Sequence, residues 1–223
     1  MGNLIMVLGK SGSGKSASLR NFEPEEIGVF SVAGKRLPFR NKLRVMSQDV
    51  GYIPIMKSLR ANKLRCYVID DAGYLMQFDN FARVKDTGYG KFTDMALAFE
   101  KLLKIAMNTD EDTNVYFLMH PDTSDMGYEK PKTIGRMLDE KLCVEGLFPI
   151  VIDCETRIGE NGKPSHVFVT ENDGRNLAKA PMGMFDAVID NDLKLVDTTI
   201  REYYEMKPTI DAAESAESEG NDA

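Results

Sequence analysis

No stretch of the 223-residue chain approaches the roughly 18 consecutive apolar residues that a membrane span requires. The opening MGNLIMVL has neither the basic start and cleavage site of a secretory leader nor a Ser or Thr at position 6 for myristoylation. These absences predict a cytoplasmic protein with no membrane partner. Cysteine is scarce as well. Cys66, Cys143 and Cys154 lack C-x-x-C spacing and stand in or beside apolar runs, which argues against a disulfide framework or a thiolate metal cluster and predicts buried thiols.

What is present is enough for one sizeable core: 43% of the residues are hydrophobic, which suits a single α/β domain over 1–208. The remainder, 209–223, reads as a disordered acidic tail, because Asp211 to Ala223 holds five acids, no base and little to bury. The formal charge of −7 is unevenly spread. Lys35 to Arg65 carries nine Lys or Arg against one acid, Asp49, or +8, leaving −15 for the rest.

Short apolar runs alternate with amphipathic stretches, the order of a mainly parallel sheet flanked by helices. Strands are predicted at 3–8, 27–32, 43–47, 66–71 and 114–120, with helices beginning at 15–22 and covering 53–61. Phe92, Met95, Ala96, Phe99, Leu102, Leu103 and Ala106 share one face, predicting a packed helix over 92–107. A long loop is expected from Pro121 to Lys132, a helix over 133–144, and a closing helix from Asp190 to Met206. FPIVIDCE and SHVFVT read as a C-terminal antiparallel hairpin.

Directly after the first strand, Gly9-Lys10-Ser11-Gly12-Ser13-Gly14-Lys15-Ser16 fits G-x-x-x-x-G-K-[ST] without a gap. Glycines there let backbone N–H groups turn inward onto phosphate oxygens at a helix start, with Ala17 next in line. Lys15 would neutralise the β and γ oxygens, and Ser16 would ligate Mg²⁺. The companion signal is Tyr67-Val68-Ile69-Asp70-Asp71, a buried strand ending in two carboxylates. Asp70 is the expected metal-side acid, and Asp71 is either the base for an attacking water or a helix cap. His120, ending the next strand, stands where a side chain could sense the γ-phosphate, whereas nothing near His166 suggests a role. N-K-x-D for guanine is missing, which argues against a GTPase.

The order of these pieces, followed by TIGRMLDEKL and NLAKAPMGMFD, resembles the RecA-core ATP-binding proteins of phage replication and recombination modules, including the phage RecA-like single-strand annealing proteins. That resemblance implies a RecA-like P-loop NTPase core using ATP and Mg²⁺ in the host cell cytoplasm. It further implies single-stranded DNA as partner, a phage single-strand binding protein nearby, and a homo-oligomer with ATP at the protomer interface. Arg175 and Lys179 match the bases that reach a neighbour's γ-phosphate in such assemblies. One departure weakens the expectation of fast hydrolysis: VFSVAGKR has Ser31 and Ala33 where the family keeps a glutamate, and the nearest acid after a strand is Asp49.

Two loops could meet DNA. RVKDTGYGKF offers Arg83, Lys85 and Lys91 around Tyr89, a mixture for phosphate contact and base stacking. The stretch after His120 adds Tyr128, Lys130, Lys132 and Arg136. A replication accessory or loader ATPase without its own DNA contact is the alternative reading, and a small-molecule kinase a more distant one.

Overall fold

The computed structural model describes residues 1–40, 43, 45–47, 51–159 and 162–210. The general-base candidate Asp49 and the tail residues 211–223 lie outside them.

Strand β1 (Asn3–Leu8) has Leu4, Met6 and Leu8 facing one apolar layer and Ile5 and Val7 the other. That two-sided burial is the signature of a strand inside a parallel sheet. The same holds for β4 (Cys66–Asp70) and β5 (Asn114–Met119), every residue of which is buried. With β2 (Gly28–Ser31), β3 (Val45–Ser47), β8 (Ile150–Ile158), β9 (Pro164–Val169) and β10 (Val188–Asp190) they form one eight-stranded sheet, ordered β10-β9-β8-β1-β5-β4-β2-β3. All pairings from β8 through β3 are parallel, and β8-β9-β10 is antiparallel. The predicted hairpin is therefore present, joined directly to β1.

One face is covered by α1 (Tyr52–Ala61), α2 (Tyr74–Ala82) and α3 (Gly90–Met107), with Ile55, Leu59, Met76 and Phe99 in the core. The other is covered by the segment after the glycine loop and by α5 (Leu193–Tyr203), through Leu19, Phe22, Val196 and Ile200. A short helix, α4 (Arg136–Glu140), precedes β8. On the α5 side a buried polar knot ties elements together. Asp197 accepts from Asn114 Nδ2 at 2.7 Å, Tyr116 Oη at 2.9 Å and Arg201 Nε at 2.6 Å. Arg201 also donates to the carbonyls of Arg65, Asp112 and Lys207.

Five expectations need correction. The segment after the glycine loop is a 3₁₀ helix, Ser16–Asn21. The Ser18 hydroxyl donates to the Lys15 carbonyl at 2.6 Å, a local bond that competes with α-helical pairing. The predicted loop after His120 contains a small hairpin, β6 (Pro121–Thr123) with β7 (Glu129–Pro131). The helix expected over 133–144 shrinks to α4, because Gly135 stands at φ +90° immediately before it. Residues 188–190 are the outer strand of the sheet, and α5 starts only after Asp192, whose carboxylate accepts from the N–H groups of Lys194 and Leu195. Cys66 and Cys154 are buried as expected, but Cys143 is exposed and its thiol donates to Glu145. Among the described residues no helix is long and apolar enough to cross a membrane.

Candidate nucleotide-binding site

The carboxyl ends of β1, β5, β4 and β2 open on one edge of the sheet, the place where open α/β sheets receive ligands. Because β5 is inserted between β1 and β4, His120 emerges between the glycine loop and the Asp70-Asp71 pair. The loop leaves β1 at Gly9 and passes Gly12 at φ +80° and Gly14 at φ +105°, conformations that L side chains rarely adopt. It then delivers Lys15 and Ser16 to a cavity of about 290 Å³.

The Ser16 hydroxyl lies 3.0 and 2.9 Å from the two oxygens of Asp70, to which it donates. Lys15 Nζ donates to the carbonyls of Gly9 at 2.6 Å and Lys10 at 3.1 Å, and lies 3.5 Å from His120 Nδ1. On its far side, His120 Nε2 is 3.2 Å from Asp71 Oδ1. Lys35 Nζ is 2.9 Å from Asp71 Oδ2. Lys15, His120, Asp71 and Lys35 thus form one unbroken chain across the cavity floor. A neutral imidazole protonated on Nε2 satisfies both of its neighbours, donating to the carboxylate and accepting from the ammonium. Tyr74 walls this row, its ring edge-on to His120 and 5.4 Å from Lys35 Nζ.

Burial sets the charges. Burial and then the neighbouring Asp71 push the Asp70 carboxyl up to about 6. Burial would raise Asp71 too, but hydrogen bonds from His120 and Lys35 outweigh it and hold Asp71 down at about 2. Burial also draws the Lys15 ammonium below its ordinary value, against the pull of Asp71. Ser16 and Asp70 are the residues that would hold Mg²⁺, and the donor set fits it: one hydroxyl and one carboxylate, hard oxygens that leave positions for phosphate and water. Among the described residues no group of three or more His, Cys, Asp or Glu is arranged for a metal.

Four residues without a site role in the sequence reading line the cavity: Lys35, Arg36, Pro38 and His166. His166, on β9, packs onto Gly14 and holds Thr156 Oγ1 at 3.0 Å. Lys35 follows β2, its carbonyl accepting from the Ser31 hydroxyl at 3.2 Å. Neither had a local signal, since both acquire meaning only from strands distant in sequence. Behind the glycine loop lies a second cavity of about 370 Å³, lined by Lys10, Ser13, Glu129 and Asp153. Burial, then Glu129 and Glu155, raise Asp153 to about 7.

The remaining candidates are dispersed. Arg175 and Lys179 are exposed and line neither cavity; Lys179 is bonded through its backbone to Val151. Arg83 pairs with Asp86 and Asp94, each at 2.9 Å. Lys91 Nζ sits 5.0 Å over the Phe92 ring, and Arg136 pairs with Glu140. Tyr89 is 88% exposed, and Lys85, Tyr128 and Lys132 are also exposed. Lys130 lies on β7, half-buried.

A glycine loop with two left-handed turns, the Lys15-Ser16 pair that closes it, and an acidic end on β4 with β5 between it and β1 decide the architecture. The fold is that of a P-loop NTPase core. No family model and no curated protein matches the chain. Among solved structures, the ATPase DotB of Legionella pneumophila is similar over 77% of this chain and 46% of its own, at 9% identity and a TM-score of 0.39. The pilus retraction motor PilT, in a structure with ADP, is similar over 93% and 55%, at 12% identity and a TM-score of 0.38. This chain spans about half the length of either. The assignment of the P-loop core rests on the chain's own strand order and loop, not on these likenesses.

Proposed function

We propose that the protein binds ATP with Mg²⁺ and hydrolyses it slowly, acting on single-stranded DNA as a RecA-like recombination or annealing protein. The observation that carries the nucleotide part is the Ser16 hydroxyl against both oxygens of Asp70 beside a glycine loop with two left-handed turns. That pair is already assembled where a P-loop requires its metal-side oxygens. The bound ion would screen charge on the phosphates. Loop N–H groups and Lys15 hold the phosphate chain, Lys15 exchanging the Gly9 and Lys10 carbonyls for phosphate oxygens.

Asp71 orients the attacking water, and His120 fixes Asp71 from behind. A carboxylate held down at about 2 is a weak base, which supports slow turnover. Arg175 and Lys179 are exposed and line neither cavity of their own chain, which supports a role for them at a neighbouring protomer's nucleotide. For DNA, support comes from exposed Tyr89 and from the β6-β7 hairpin. Lys132 N–H donates to the His120 carbonyl at 2.9 Å, so movement of that hairpin reaches the row of residues under the phosphates.

Titrating Lys15→Ala with a fluorescent non-hydrolysable ATP analogue and Mg²⁺ tests the nucleotide reading. Loss of a charge-assisted contact of about 1.5–3 kcal/mol should weaken binding about tenfold or more. Unchanged affinity would overturn the assignment.

A further inference from the structure

Lys35 stands out because it pairs, at 2.9 Å, with a carboxylate that a second residue also holds. Its side chain is 60% exposed and lines the cavity, while Asp71, the carboxylate it holds, is more than nine-tenths buried and is already held from the other side by His120. Asp71 therefore keeps an anchor when Lys35 leaves. The backbone that carries Lys35 is fixed: Gly34 N–H donates to the Ser31 carbonyl at 3.0 Å, and the Ser31 hydroxyl holds the Lys35 carbonyl. The flexible four-carbon stem is what remains free to swing. Lys15 and Lys35 flank the same His120-Asp71 pair, and both line the cavity that receives the phosphate chain. Lys15 lies within the loop itself. Lys35 reaches in from the opposite wall, where the outermost phosphate of a chain threaded through the loop would end.

We propose that Lys35 reads the terminal phosphate, leaving Asp71 for the γ-phosphate of a nucleoside triphosphate and staying on Asp71 when a diphosphate is bound. The inference rests on the nucleotide reading above. It makes Lys35 a specificity-determining residue that separates ATP from ADP, distinct from Lys15, which holds both. It also makes Asp71 a competitor for the same ammonium, so the two residues act on ATP affinity in opposite directions.

The test is competition of ATP and of ADP, each with Mg²⁺, against a fluorescent ADP analogue bound to the full chain. The parent should favour ATP. Lys35→Ala should weaken ATP about fivefold or more with ADP little changed, and Lys35→Arg, which keeps the charge, should preserve the preference. Asp71→Asn should tighten ATP relative to ADP, and that gain should vanish in the Lys35→Ala, Asp71→Asn double variant. Thermal melts identify any variant that has lost its fold, and Lys35→Arg then decides alone: a lost ATP preference in a folded Lys35→Arg protein overturns the inference. So does an ATP-to-ADP ratio in folded Lys35→Ala equal to that of the parent. A parent that binds neither nucleotide overturns the nucleotide reading, and this inference with it.

Discussion

His166 packs on Gly14 so closely that a Cβ added to the glycine would come within 2.7 Å of the ring's Cγ, at a backbone φ of +105°. Two independent penalties therefore fall on Gly14→Ala: the left-handed backbone, about 1–3 kcal/mol, and the displaced imidazole. Nucleotide binding should be lost and the melting temperature lowered. Adding His166→Ala removes the ring atoms but keeps the Cβ at 2.9 Å, so it should recover part of the melting temperature while leaving that contact and the backbone penalty in place. Full recovery would show that the steric contact alone mattered.

Asp153 gives stability a pH dependence of definite sign. Its folded pKa, about 7, lies above the ordinary value near 4. The folded chain therefore holds a proton that the unfolded chain releases, and this group's contribution falls as pH rises from about 4 to 7. Asp153→Asn keeps the neutral form, so it should match the parent near pH 4 and exceed it above pH 7 by about 1–4 kcal/mol. Urea melts at both pH values measure the difference; a pH-independent gain would assign the effect to something other than the proton.

Arg201→Met should be among the more destabilising single changes. Arg201 and Asp197 are both more than nine-tenths buried, and removing the guanidinium leaves the buried carboxylate with the neutral donors Asn114 and Tyr116 but without this counter-charge, and takes one donor from each of three backbone carbonyls. The expected loss is about 3–5 kcal/mol. Asp197→Asn in the same background should restore part of it, because the stranded charge is gone, and chemical denaturation of Arg201→Met, Asp197→Asn and the double variant reads the coupling.

Salt titration of fluorescent oligonucleotide binding, with ATP present, separates the DNA candidates. Lys85→Ala with Lys132→Ala should flatten the dependence of log K on log salt by about 1.4, at roughly 0.7 per phosphate on a single strand. Arg83→Ala should change it least, since Asp86 and Asp94 already occupy its guanidinium. Tyr89→Ala should cost about 1–3 kcal/mol with the slope unchanged. Equal slopes for the parent and the double variant would move the DNA path elsewhere.

The parallel core could be read from sequence because its strands are unbroken apolar runs and its chemistry lies at the chain positions immediately after them: Gly9 to Ser16 after β1, Asp71 after β4, His120 after β5. Other parts were hidden for identifiable reasons. Residues 188–190 are a strand only because β9 offers them an edge, and three residues carry no period. The stretch 133–144 has the apolar spacing of a helix, and the positive φ of Gly135 is a tertiary choice. Lys35 lay inside a +8 segment where every cation looked alike, and its distinction is a carboxylate 36 positions away. Nothing local marks His166, because its neighbour Gly14 is 152 positions away in sequence.

Asp71 has a φ of +60°, and the left-handed region admits few residues other than Gly, Asn and Asp without local strain. That limits the substitutions open to this position over evolutionary time. A glutamate, one methylene longer, carries more strain in this region, a cost the chain bears at Glu205 with φ +54°, so drift toward a farther-reaching acid is disfavoured. When homologous chains are aligned, position 71 should be filled by Asp, Asn or Gly whatever happens to its neighbours, and chains carrying Asn or Gly there mark branches that kept the fold after losing the carboxylate.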